Sequence, residues 1–181
     1  MQSTRDKCFS LLLALVLGGA SLPALADDGC IDFKWDVSKE RALFAGTPAK
    51  VTAGKDPRSA PVIVPNRLYR LTLMAQDTVA FSVTNPAKKA PSTPAYAGLA
   101  TLKVPAAGSY RIAVDLPLWI DVVANGALVP PADFQGQHGC NAPHKIVEFD
   151  LAGARPLVLQ FSNAGKDDVL FTVTPSPPRK L

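Results

Sequence analysis

From Cys30 onward the chain alternates apolar and polar residues with a period of two. In CIDFKWDV, Ile31, Phe33, Trp35 and Val37 point one way while Asp32, Lys34 and Asp36 point the other, the pattern of a half-buried strand. The alternation returns in RLYRLTL (Tyr69, Leu71, Leu73), DTVAFSVT (Val79, Phe81, Val83), SYRIAVDL (Tyr110, Ile112, Val114, Leu116) and HKIVEFDL (Lys145, Val147, Phe149, Leu151). ALFAG, AKVTAG, VIV at 62–64, LATLKVP, LVLQFS and VLFTVT read as further short strands. Between them SKER reads as a turn, KDPRSAP as a loop punctuated by Pro57 and Pro61, and Asn125-Gly126 as a two-residue hairpin turn. No amphipathic helix stands out. About ten strands of this kind predict an all-β protein, an antiparallel two-sheet β-sandwich of the Greek-key or jelly-roll type.

The N-terminus departs from this pattern. Arg5 and Lys7 precede a short apolar run from Phe9 to Leu17, and Ala24-Leu25-Ala26 ends the segment with small residues. That arrangement predicts a secretory signal peptide over 1–26, cut after Ala26, and a periplasmic or extracellular location. The run is too short for a membrane-spanning helix, which needs roughly 20 residues. The expected organisation is a signal peptide, one β-sandwich domain over 27–174 and a mobile, unpaired tail, PSPPRKL, over 175–181.

Signal removal decides the cysteine chemistry. Cys8 leaves with the signal, so Cys30 and Cys140 have only each other in an oxidising compartment, and a disulfide between them is expected. Charge decides less. Losing Arg5, Lys7 and Asp6 leaves 17 Lys+Arg against 14 Asp+Glu. The basic residues are scattered without interleaved aromatics, so no nucleic-acid partner is expected.

Part of the strand pattern has a precedent. VPAAGSYRIAVD, WIDVVANG, and VEFDLAGARPLVLQFS followed by VLFTVT resemble the repeating units of the pre-peptidase C-terminal β-sandwich modules of secreted bacterial peptidases, over roughly residues 99–174. The resemblance implies a non-catalytic accessory or binding module, although no peptidase domain accompanies it. The partner would be a protein, a glycan or another envelope component. The long Pro- and Lys-rich loop NPAKKAPSTPAYAG, 85–98, supplies candidate binding residues Lys88, Lys89 and Tyr96, with Trp119 as a further aromatic candidate.

One segment gathers residues capable of other chemistry. FQGQHGCNAPHKIVEF, 134–149, holds both histidines of the chain, His138 and His144, with Cys140 between them and Glu148 after. A cupredoxin-like copper site would need a second imidazole from an upstream strand and a methionine after the last histidine, but no histidine precedes His138 and Met74 lies far upstream. A non-haem iron or zinc site on His138, His144 and Glu148, in the manner of cupin oxygenases, is the catalytic alternative. It requires a bend, because residues 144 and 148 on one strand lie about 13 Å apart by strand rise. The favoured reading needs no cofactor: an irregular loop built on Gly136, Gly139, Asn141 and Pro143, anchored by Cys140 and leading into a strand at Lys145. An envelope structural or inhibitor protein is the third alternative.

Overall fold

The long alternating runs become the central strands of two sheets. The computed structural model describes residues 30, 32–85, 93–153 and 155–177. The expected signal peptide, Lys88, Lys89 and the last four residues of the tail lie outside these. One sheet runs β1 (Ala49–Thr52), β3 (Leu68–Thr72), β12 (Asp168–Pro175), β6 (Gly108–Val114), β10 (Lys145–Leu151) and β9 (Asp133–Gly136). The other runs β2 (Val62–Ile63), β5 (Tyr96–Leu102), β11 (Leu157–Ala164), β7 (Trp119–Ala124) and β8 (Ala127–Val129), with β4 (Met74–Ala75) also on β5. The expected two-sheet sandwich is therefore present, with twelve strands among the described residues rather than about ten. Its sheets are mixed: β1 lies parallel to β3, and β2 parallel to β5.

Alternation sends one set of residues into the space between the sheets. Tyr69, Leu71, Ile112, Val147, Phe149, Leu159, Phe161, Phe171 and Val173 are buried there. Phe171 forms the hub, with ring centroids 5.3 Å from Tyr69 and 5.0 Å from Phe161. Each such pair contributes about 0.5–1.5 kcal/mol beyond its burial. The β7–β8 hairpin turns at Asn125 and Gly126 with φ of 52° and 76°, the two positive values a type I′ turn requires.

Three expected strands are not strands. SKERALF forms helix α1, Ser38–Phe44. Its Lys, Glu, Arg, Ala and Leu all favour helix, and its two turns are too short to show a helical period. Residues 32–37 cross the outer face of the first sheet as an irregular strap. Phe33, Trp35 and Val37 still pack on Ala113 and Ile146, but the backbone is satisfied by side chains instead of a ladder. Gln135 accepts from Lys34 N through Oε1 and donates to Asp32 O, which Gln137 also reaches.

DTVAFSVT likewise gives a 3₁₀ turn, Gln76–Thr78, followed by an irregular segment. There the buried Gln160 amide stands in for a neighbouring strand, accepting from Ser82 and Val83 N–H and donating to Val83 O. The chain also pairs further at its end than expected. β12 runs to Pro175, and Ser176 N donates to Ser109 O.

Candidate binding cleft on the outer face of the first sheet

Strand parity divides the outer face of the first sheet into a sealed half and an open half. On β6, β10 and β12, Arg111, Glu148 and Thr174 point outward and are buried beneath the strap and α1. Arg111 Nε donates to Glu148 Oε2 at 3.2 Å, its Nη1 donates to Asp36 O at 2.9 Å, and Trp35 covers its guanidinium at 5.0 Å. Ser176 Oγ donates to Glu148 Oε2, and Thr174 Oγ1 donates to Glu40 Oε1. This half is a closed polar interior.

At the opposite strand ends the same parity leaves a cleft of about 560 Å³ open to solvent. β3 contributes Arg70, the end of β6 leads to Asp115, and the start of β12 brings Asp168. Lys166 enters from the turn before β12. The fourth side is the loop between β9 and β10, carrying His138, Asn141 and His144. This loop is fixed at three points: His144 N donates to Val114 O, Gln137 N donates to His144 O, and Cys140 is bonded to Cys30 with Cα atoms 5.0 Å apart. The expected disulfide thus ties the start of the strap to the wall of the cleft.

Within the cleft the charges are largely mutual. Arg70 Nη1 donates to Asp168 Oδ2 at 2.6 Å, with both side chains about two-fifths exposed. A pair so exposed contributes about 0–1 kcal/mol. Asp115 Oδ1 accepts from Leu170 N. Burial pushes the Asp115 carboxyl above its ordinary range, and neighbouring Asp168 adds to this, while the amide hydrogen bond and Arg70 oppose it.

A folded pKa above the unfolded one gives stability below about pH 3.9 that is lost as pH rises through the folded value. Asp115→Asn keeps an acceptor for Leu170 and removes the titration. The wild type is therefore expected to lose Tm relative to Asp115→Asn between about pH 4 and pH 7. A Tm difference independent of pH would contradict the burial of this carboxyl.

The two histidines meet on the cleft wall, edge to face, with ring centroids 6.1 Å apart. His144 Nδ1 lies 3.2 Å from Cys140 O, so a proton on Nδ1 satisfies that carbonyl and leaves Nε2 bare. Glu148 does not join them. It lies further along β10, its carboxylate held by Arg111 and Ser176 under the strap. Among the described residues no group of three or more His, Cys, Asp or Glu side chains is placed to hold a metal ion.

The aromatic candidates are set differently. Tyr96 is half-buried in β5 against the core. Trp119 is half-buried at the start of β7, in a shallow depression that adjoins the cleft through Pro117 and His144. Lys145 lies over its ring at 5.6 Å and donates from Nζ to Leu118 O. Burial lowers the Lys145 pKa, partly offset by Asp121.

Arg70, Asp115, Lys166 and Asp168 carry no motif. Their only signal in the sequence is that three of them are outward, polar positions of apolar strands or of residues just beyond their ends. The fold and the cleft define a disulfide-stapled, two-sheet β-sandwich with one sheet face half sealed and half open. No family model matches the chain, and no curated protein matches it significantly.

Proposed function

We propose that the chain is an exported, non-catalytic binding module, and that its ligand occupies the cleft between Arg70, Asp115, Asp168 and the His138–His144 loop. One observation carries this reading: three separate strands and a disulfide-anchored loop deliver polar side chains to one open cleft, while the strap and α1 seal Arg111, Glu148 and Thr174 on the same face. The buried Cys30–Cys140 bond suits an oxidising compartment. No helix among the described residues is long and apolar enough to cross a membrane. The signal over 1–26 then directs export to the periplasm, and the sandwich acts as an accessory module for a protein, glycan or other envelope component. An iron- or zinc-dependent enzyme on His138, His144 and Glu148 has less support, because the carboxylate is committed to Arg111.

Comparative capture tests the reading. Immobilised mature protein, the cleft variant His138→Ala/Asn141→Ala/Lys166→Ala and the remote control Lys39→Ala/Arg41→Ala are exposed to the same envelope extract. A component retained by wild type and control but lost from the cleft variant is expected. Identical retention by all three would remove the cleft from the function.

A further inference from the structure

We propose that His138 and His144 form a two-imidazole site for a divalent transition-metal ion that prefers nitrogen ligands, of the zinc and copper class. The inference rests on the binding reading of the cleft and adds to it a metal ion on the cleft wall.

Distance is the first argument. An imidazole nitrogen sits about 2.0–2.1 Å from zinc, which places the ring centroid about 3.2 Å from the ion, so two rings on one ion have centroids about 5.2 Å apart at the tetrahedral angle and about 6.4 Å apart when opposed. The observed 6.1 Å lies between these limits, and the tetrahedral geometry zinc prefers requires the exposed His138 ring to close by about 1 Å. Ordinary ring packing covers the same range, so distance alone does not decide.

The orientation of His144 is the second argument. Its Nδ1 faces the Cys140 carbonyl, the kind of outer contact that fixes the tautomer and turns the other nitrogen toward a metal. That carbonyl belongs to a residue pinned by the disulfide, so the ring is held rather than free to reorient.

The surroundings select the ion. Both mature thiols are consumed in the disulfide, which leaves nitrogen donors and disfavours ions that require thiolate. Arg70 and Lys166 are matched by Asp115 and Asp168, so the formal charges lining the cleft do not exclude a cation. Hard ions such as calcium need several oxygen ligands and are not served by two imidazoles.

Calorimetric titration of the tag-free mature protein with zinc chloride tests this, with calcium chloride as control. One saturable zinc site per chain and no calcium site are expected. His138 is exposed, so His138→Ala keeps the fold and is expected to weaken zinc at least about tenfold; His138→Ala/His144→Ala abolishes the site. Glu148→Gln, titrated under conditions where its circular dichroism matches that of wild type, leaves zinc affinity unchanged, which separates this site from the three-ligand alternative. Zinc binding that survives the double histidine substitution, or is lost in Glu148→Gln, overturns the inference. No zinc binding by wild type overturns it as well. In that last case cleft-dependent capture of an envelope component would leave the binding reading standing, and absence of both would end both.

Discussion

Replacing Arg111 by alanine is expected to cost about 3–5 kcal/mol of folding stability, the largest effect of any single side chain outside the apolar core. Arg111 and Glu148 are cross-strand partners, and their side chains are only 8% and 5% exposed. Taking both charges out of water is costly, and the structure offsets this with the ion pair, the Asp36 carbonyl and the Trp35 ring. Arg111→Ala removes the cation and leaves the Glu148 carboxylate buried without it. It also removes two contacts that hold the strap to the sheet. Arg111→Met/Glu148→Leu removes both charges at similar volume and is expected to recover most of the loss. Urea denaturation of the three proteins measures this. A loss below about 1 kcal/mol for Arg111→Ala would mean that the pair is open to solvent and that the strap does not seal it.

The disulfide carries the second large effect. Cys30 and Cys140 are separated by 110 residues, and closing a loop of this order restricts the unfolded chain by about 4–5 kcal/mol in the chain-entropy model. Cys30→Ser/Cys140→Ser is expected to lose about 2–5 kcal/mol. It should differ from Arg111→Ala in one respect. The Arg111 change acts under the strap, whereas loss of the disulfide also frees the loop that holds His138 and His144. Zinc affinity and capture through the cleft should therefore fall in the serine variant even under conditions where it stays folded. Two reactive thiols per chain in the denatured, unreduced wild type would contradict the bond itself.

How much of this was legible in the sequence depends on where each backbone finds its hydrogen bonds. SYRIAVDL, HKIVEFDL and LVLQFS are long enough to alternate visibly, and each lies between two neighbours in its sheet. CIDFKWDV and DTVAFSVT alternate equally well, and Phe33, Trp35, Val37, Val79, Phe81 and Val83 are half-buried or buried while the residues between them are exposed. What sequence does not reveal is that Gln135, Gln137 and Gln160 provide side-chain partners where a ladder would have stood. The parallel joins of β1 and β2 are likewise set by which sheet edge is free, a tertiary matter.

The candidate site divides in the same way. Both histidines and the disulfide were visible, because rare residue types announce themselves. Arg70, Asp115 and Asp168 became a site only through the order β3, β12, β6, β10, which brings residues almost a hundred positions apart onto one face. Glu148 was visible for the opposite reason. It stood near the histidines in sequence, while the register that pairs it with Arg111 was not readable.

The central claim is that the open cleft is where this protein binds its ligand. Its most direct test is a calorimetric titration of the component captured from envelope extract, purified, into wild type and into His138→Ala/Asn141→Ala/Lys166→Ala. These three side chains line the cleft, and His138 and Asn141 are exposed, so the variant should keep the wild-type fold. Saturable binding by wild type and an affinity at least about tenfold weaker in the variant are predicted. Equal affinity for the two would contradict the account.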